Sequence, residues 1–424
     1  MPHAAYIAFA PADAARAEEI AAILAQADLD PQLGGEEMAN ENGRRALHLA
    51  AADARCMVVV VTPAAEASEA VRRAIVAALN NAKPIVPVVI EELRPDSWLR
   101  FMIEGRNPIH ARPLDTPQAT AALIAAVRAA NASGRVISML NIKGGVGKTV
   151  LAANLFAAAH MVDSRSVVFV DLDPQHNLSQ YFLAPIERNR MREENRTLFS
   201  VLSPRGEAST HPSRFLDCLT SLNRSGAGPG ARAKLDIAPG DDRLFEFTLD
   251  AVPPRDKDEA FARFHQFISV LRAQYQAVVI DTNPCATFLT RCAITASDHI
   301  VAPVRPERYS LSGLSMLEWV TREIRERPLR PQEFSVLLNG VGDRVRSRLA
   351  DVDAITRNEI AAAPFFGSAL IGTAIPYSGL LRATSDERYA FNPINATAIM
   401  RLAQRSLKEA LTTAAAEILR RAAA

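Results

Sequence analysis

A chain of 424 residues, 49% apolar with a formal net charge of +1, is longer than one hydrophobic core usually serves, and roughly two or three domains are expected. The near-neutral balance excludes a global basic field, so any nucleic-acid surface must be a local patch. Cys56, Cys218, Cys285 and Cys292 are scattered with no C-x-x-C pair, which excludes a disulfide framework, a zinc site and a bridging iron-sulfur set, and points to a reducing cytoplasm.

The opening MPHAAYIAFAPADAAR lacks a basic leader with an apolar core and cleavage site, and no apolar run approaches about 18 residues, so neither secretion nor a transmembrane segment is expected. Short β-branched runs then alternate with Ala/Leu-rich amphipathic stretches, the pattern of an α/β protein with mostly parallel sheets. The first unit offers a strand over 5–9, a helix over 12–27, a strand over 56–62, a helix over 67–81, a strand over 84–90 and a helix near 117–130. ANASG at 130–134 is a small-residue break. A first domain over 1–130, a linker over 131–134 and a second domain over 135–424 are therefore expected. The second unit runs from a strand over 135–142 through a glycine loop and the helix LAANLFAAAH to strands at 166–173, 234–240, 275–282, 299–304 and 334–341. The stretch 184–234 breaks the rhythm, being rich in arginine, polar residues and finally glycine. It reads as a partly mobile surface excursion between strands, or alternatively as a basic contact surface for phosphates.

The glycine loop is 141-NIKGGVGKTV-150. Gly144, Gly145 and Gly147 can take backbone angles closed to other residues, so successive N–H groups of the loop, with Val146 among them, converge on an anion at a helix N-terminus. Lys148 then neutralises β- and γ-phosphates, and the Thr149 hydroxyl ligates magnesium. The loop departs from the common G-x-x-x-x-G-K-[ST] pattern, because Ile142 stands where the first glycine belongs and Lys143 follows it. Strand 167-VVFVDLDPQHNLSQ-180 places Asp171 and Asp173 on one face at its carboxyl edge, since strand side chains alternate. Strand 277-AVVIDTNPCATF-288 ends in Asp281, suited to hold magnesium through its water shell. In an open parallel sheet that edge is where ligands bind.

KGGVGKT, DLDPQHN and VVIDTNP, in that order, resemble the ParA/MinD family of deviant Walker A ATPases, and the likeness extends over roughly 135–420. The segment 297-SDHIVAPVRPERYSLSGLSML-317 is similar to the stretch that carries that family's chain across its dimer face, and 369-ALIGTAIPYSGLLRA-383 to its late Ile-Pro strand end. The resemblance implies a P-loop NTPase fold, ATP and Mg2+ as cofactors, slow partner-stimulated hydrolysis and a homodimer sandwiching ATP. It makes Lys143 the signature lysine that reaches the partner subunit's ATP. Asp173 becomes the acid that positions or activates the attacking water, and Asp171 the neighbour that helps hold the magnesium shell. Asn339 is similar to the adenine-recognising asparagine, with the backbone after Pro376 as a second contact. Val150 departs from the family, standing at a phosphate-contacting position where a second Thr or Ser is usual, so one hydroxyl contact is lost. His176 replaces a common glycine, Asn283 a proline and Cys292 an asparagine.

The first unit resembles a TIR domain, a small flavodoxin-like sheet, on 5-AYIAFAPADA-14 and 56-CMVVVVTPAAEASEAVRRAIVAALNNAKPIVPVVI-90; a receiver-like or generic flavodoxin-like domain is the alternative. NAD-cleaving members carry S-x-W-x-x-x-E, and alignment on Ser68 puts Ala70 at the tryptophan and Ala74 at the glutamate. Glu69 lies about 140° round the helix from Ala74 and cannot substitute. Glycosidic cleavage relies on a positioned carboxylate, so no NADase activity is expected and the unit reads as an interaction or oligomerisation module.

These readings together predict a nucleotide-switched ATPase that positions or partitions a cargo, with an unidentified protein cargo or activator as partner. Non-specific DNA is a candidate surface, through arginines of 343-DRVRSRLADVDAITR-357 with Arg382 and Arg388; a solvated helix face explains them equally. A membrane is the other, through a stripe of Ile399, Ala403, Leu407, Leu411, Ala414 and Ile418, although a helix this rich in alanine is expected to pack on its own domain. The competing functions are a TIR-based NAD-cleaving signalling or defence enzyme regulated by the ATPase domain, and an accessory regulator of envelope or polysaccharide synthesis. The first reading predicts a cytoplasmic location, with the nucleoid as the surface if that surface is DNA.

Overall fold

Runs such as Met57–Val61 are apolar at every position because both of their faces are covered, the signature of a parallel sheet between helices. The computed structural model describes residues 3–34, 50, 54–81, 83–103, 108–111, 116–203, 212–222, 233–249, 252–307, 310–325, 329–330, 333–342, 349–381 and 405–423. The chain divides into two compact units, 1–133 and 134–424.

In the first unit, strands β1 (Ala5–Ala8), β2 (Pro31–Leu33), β3 (Met57–Val61), β4 (Ile85–Val89) and β5 (Ile109–His110) form an all-parallel sheet in the order β2-β1-β3-β4-β5, the flavodoxin-like order. Helices α1 (Ala14–Gln26), α2 (Pro63–Ala67), α3 (Glu69–Asn80), α4 (Trp98–Ile103) and α5 (Pro117–Asn131) connect them. Period-two alternation sorts the central strand: Met57, Val59 and Val61 face one core with Val71, Ala74 and Ile75 of α3, while Val58 and Val60 face another with Ile20 of α1 and Leu123 of α5. Each fully buried valine contributes roughly 1.5–3 kcal/mol of apolar burial. Position 74, where an NAD-cleaving member would carry its glutamate, is an alanine 1% exposed within this core.

The second unit contains β6 (Arg135–Met139), β7 (Val167–Asp171), β8 (Thr220–Ser221), β9 (Leu235–Ala238), β10 (Ala277–Asp281), β11 (His299–Val304), β12 (Phe334–Val341) and β13 (Ile375–Pro376). They form an eight-stranded sheet in the order β13-β12-β11-β6-β10-β7-β9-β8, parallel except for the β8–β9 edge. Among the described residues its helices are α6 (Lys148–Asp163), α7 (Asn177–Phe182), α8 (Pro185–Glu193), α9 (Leu198–Leu202), α10 (Pro254–Gln274), α11 (Phe288–Ala296), α12 (Ser310–Arg325), α13 (Leu349–Ala362), α14 (Pro364–Ala369) and α15 (Arg405–Ala423). The chain leaves β6 through α6 toward β7 on one side, and after β10 it passes to β11 on the other. That reversal opens a crevice at the carboxyl ends of the central strands.

One expectation is corrected here, and another, that the C-terminal helix packs on its own domain, holds. The described part of 184–234 is not a surface excursion: it folds into α8, α9, a 3-10 turn at Pro212–Cys218 and the edge strand β8, and buries Met191, Leu198, Val201, Leu202, Phe215 and Leu222. Its apolar residues are sparse but spaced to reach the sheet edge, which outweighs the polar composition. The stripe offered to a membrane is spent inside: Leu407, Leu411, Ala414 and Ile418 of α15 are buried in the same cluster as Leu151, Leu155 and Phe156 of α6. Ile399 and Ala403 lie outside the described residues, as do Arg344, Arg346, Arg348, Arg382 and Arg388; Arg357 is half-buried on α13. No helix among the described residues is long and apolar enough to cross a membrane.

Candidate functional site

Parallel register sets the site. Asp281 at the end of β10 lies level with Met139 of β6 and with Asp171 of β7, so the glycine loop after β6 opens onto two strand-end carboxylates. The loop turns through Gly145 (φ 75°) and Gly147 (φ 98°), left-handed angles at which a β-carbon is strained. Gly147 is the residue that starts α6, so free N–H groups and the positive end of the helix dipole point the same way. A β-carbon at Gly147 would also sit 2.5 Å from Asn339 Nδ2.

A cleft of about 690 Å³ follows the loop, within the range that holds a small-molecule ligand, and its lining includes Gly144, Gly145, Lys148, Thr149, Asp173 and Asn339. Gly147, Val150 and Pro376 also line it. Lys148 is 7% exposed and donates from Nζ to the Asn141 carbonyl at 3.0 Å. Burial lowers its pKa, while Asp281 and then Asp173 pull it back up. Thr149 Oγ1 donates to Asp281 Oδ2 at 2.6 Å. The other oxygen of that carboxylate, Oδ1, is sealed from solvent with no hydrogen-bond partner. Burial first, then the charge of Asp171, holds Asp281 well above the usual carboxylate range. A buried carboxylate with a spare oxygen next to a threonine hydroxyl is the donor set a hard divalent cation takes, and open glycine N–H groups with a buried lysine fit a polyphosphate.

Other candidate residues fall differently. β7 ends at Asp171 and the chain turns only after Asp173, at Pro174–Gln175, yet the two carboxylates have different surroundings. Asp173 lines the cleft, whereas Asp171 Oδ2 accepts from Ser179 N and Oγ at 2.7 and 2.6 Å and anchors α7. Burial pushes Asp171 up to about 7 against those two bonds, with the charge of Asp173 adding to the rise. Val146 is buried beneath the loop, its carbonyl accepting from Asn339 Nδ2 at 2.8 Å; Asn339 therefore braces the loop as well as facing the cleft. Val150 is half-buried against the core shared by α6 and α15. Lys143 is not among the cleft-lining residues, and its ammonium forms an ion pair with Glu307, each side chain nearly half exposed.

Sequence reasoning missed three residues. Asn141 links the start of the loop to the neighbouring strand, donating to the Pro303 carbonyl at 2.7 Å and accepting from Lys143 N at 2.8 Å. Thr282, just past Asp281, lines the cleft and donates to the Met139 carbonyl at 2.8 Å. Arg188 lines it from α8. The signal for Asn141 and Thr282 was their place at strand ends beside the loop; for Arg188 it was the arginine-rich composition of 184–234, which singled out no one arginine.

Residues 134–333 match the AAA domain family and residues 6–124 the TIR domain family. Among curated proteins the chain is similar to the sporulation initiation inhibitor protein Soj of Bacillus subtilis, 29% identical over 184 residues, covering 43% of this chain and 63% of Soj. It is similar to a ParA family protein of Mycoplasma pneumoniae, 27% identical and covering 60% of this chain and 92% of that protein. It is also similar to the chromosome partitioning protein ParA of Myxococcus xanthus, 31% identical and covering 43% of this chain and 56% of that protein. The chain thus spans less than two thirds of the length of Soj. Among solved structures, a plasmid partition protein from Borrelia burgdorferi aligns with TM-score 0.44 and 18% identity, covering 62% of this chain and 97% of its own.

Proposed function

We propose, from the premise that this chain joins a TIR-like domain to a ParA-like ATPase domain, that it is an ATP-switched dimer. Two subunits close on ATP, the closed form binds a surface and a cargo, and slow hydrolysis, stimulated by a partner, releases it. The observation that carries this reading is the cleft itself: a left-handed glycine turn, the buried Lys148 and the Thr149–Asp281 pair converge at one strand edge. Lys148 would bind phosphate oxygens in place of the Asn141 carbonyl, and Asp173 would orient the attacking water. Thr149 and Asp281, with Asp171 behind them, would hold Mg2+, which neutralises the phosphates when bound. Asn339 and the backbone beyond Pro376, both on the cleft lining, would contact the base.

Lys143 supports the dimeric part. Its side chain leaves its own cleft and rests on Glu307 at the surface, from which a second subunit's nucleotide is a natural acceptor of its charge. DNA is the surface we favour, with chromosome or plasmid cargo in keeping with the name of the Myxococcus relative, and with the cytoplasm, against the nucleoid, as the location. The TIR-like unit acts as an interaction module, because the position of the NADase glutamate is filled by buried Ala74.

Phosphate release and light scattering with ATP and Mg2+ test the proposal. Lys143→Ala should bind ATP yet hydrolyse poorly and stay monomeric, and Asp173→Ala should accumulate as an ATP-bound dimer. Unchanged turnover and dimerisation in Lys143→Ala would refute the lysine's role across the interface. DNA retention should require ATP and fall steeply with salt.

A further inference from the structure

Arg188 is half-buried in the wall of the cleft, on the same lining as Lys148 and Asp173. Its Nε is sealed from solvent and makes no hydrogen bond. Among the described residues its hydrogen bonding amounts to Nη1 against Nδ1 of the His176 ring at 3.5 Å. Burial lowers its pKa and the charge of nearby Asp171 only partly offsets this; Asp171 Oδ2 itself is taken by Ser179. A guanidinium presents five N–H donors in a fixed fork that matches two oxygens of one phosphoryl group. A buried donor left without an acceptor is costly, so this fork is poised to bind an anion.

His176 supplies an independent observation. It sits at φ 43°, ψ 41°, a left-handed conformation in which a residue with a β-carbon is strained. Its ring lies 3.2 Å from Gln180 Nε2 and 3.5 Å from Arg188 Nη1. Burial, and next the charge of Arg188, lower its pKa, so a neutral ring is available to accept. The His176 N–H also donates to the Asp173 carbonyl at 2.7 Å. One turn thus carries both the cleft acid and the histidine that touches the arginine.

We propose that Arg188, positioned by His176, binds the terminal phosphate of a nucleoside triphosphate in its own subunit's cleft and makes that cleft discriminate triphosphate from diphosphate. This rests on the nucleotide reading above. Arg188 contacts the ligand; His176 is a positioning residue, and its strained backbone is retained for the ring it presents.

The test measures affinities of the full chain for fluorescent AMPPNP and ADP with Mg2+. Arg188→Ala should weaken AMPPNP binding by roughly tenfold or more, the effect of one lost charge-assisted contact, while ADP affinity moves by less than about threefold. His176→Gly should shift the same ratio by a smaller factor while its melting temperature holds or rises, which a merely structural histidine would not do. Lys148→Ala should lose both nucleotides. If Lys148→Ala loses binding while Arg188→Ala keeps the wild-type ratio, the arginine assignment alone is overturned; if the wild type binds neither nucleotide, both readings fall. Should Arg188→Ala not fold, Arg188→Gln carries the same test, and an unchanged ratio there overturns the proposal.

Discussion

Both units place a threonine–aspartate hydrogen bond of 2.6 Å beside the carboxyl ends of a parallel sheet: Thr62 to Asp13 in the first, Thr149 to Asp281 in the second. In the first the polar groups close on one another. Thr62 Oγ1 donates to Asp13 and accepts from Ala65 N at 3.0 Å, capping α2. In the second, Asp281 keeps one sealed oxygen without a partner, and Lys148 donates to a loop carbonyl beside open glycine N–H groups. The same edge of the same fold class is structural in one case and a candidate site in the other. What differs is unfilled hydrogen-bonding capacity, which is where function is carried.

The sharpest way to break that comparison is to give the first unit a charge it lacks. Ala74→Glu would bury a carboxylate among Val71, Ile75 and Met57. We expect a loss of about 3 kcal/mol or more, read as a fall in denaturant midpoint, and no NAD consumption. Appearance of NAD cleavage would mean that the first unit's edge also holds latent chemistry. Next in size, Lys148→Ala should weaken nucleotide binding roughly 100-fold, about 2.7 kcal/mol, by calorimetry, with the melting temperature held or raised because a buried ammonium has been removed.

The pattern of the sequence made the core strands legible and the edges not. Met57–Val61, Val167–Asp171 and Ala277–Asp281 are runs of β-branched residues bounded by turn residues, and each lies within a span read as strand. Pro31–Leu33, Ile109–His110 and Thr220–Ser221 are two or three residues long and exist because a neighbour's backbone offers a ladder, which no local period records. The loop, Asp173 and Asp281 were readable because strand ends and glycines fix their own geometry. Arg188 was not, since its place depends on how α8 and α7 pack into one core, to which Met191 and Phe182 both belong. His176 was half readable: a histidine where a glycine is common signals a left-handed angle, but not which side chain its ring meets.

Proton linkage separates the units more finely. Asp171, raised by burial to about 7 against an ordinary value of 3.8, holds its proton more tightly folded than unfolded. Between about pH 4 and 7 the folded state therefore carries the extra proton, so this residue's contribution to stability falls as pH rises and levels off above 7. Asp281 is shifted in the same direction. From pH 5 to 7.5 the unliganded protein should lose on the order of 2 kcal/mol through Asp171. Asp171→Asn should remove that slope from the pH profile of the melting temperature; a slope that survives intact would mean the carboxylate is ionised throughout and the buried edge is better solvated than its geometry indicates.

The smallest effect tests the opening contrast most directly. Thr62→Ala removes a cap and leaves Asp13 short of a donor, a cost of about 1 kcal/mol in the stability of its unit, with nucleotide affinity unmoved. Thr149→Ala removes a hydrogen bond of the same length from Asp281, and its stability cost should be of the same order, because it too strips one donor from a carboxylate. Its consequence should appear instead as a loss of the magnesium dependence of nucleotide binding, since the hydroxyl lies beside a buried carboxylate with an oxygen to spare. Two variants that are near-equal in melting temperature and opposite in magnesium response would locate the difference in what each pair leaves open. If Thr62→Ala also erased the magnesium response, or Thr149→Ala kept it, hydrogen-bond closure would not be what distinguishes a structural sheet edge from a site.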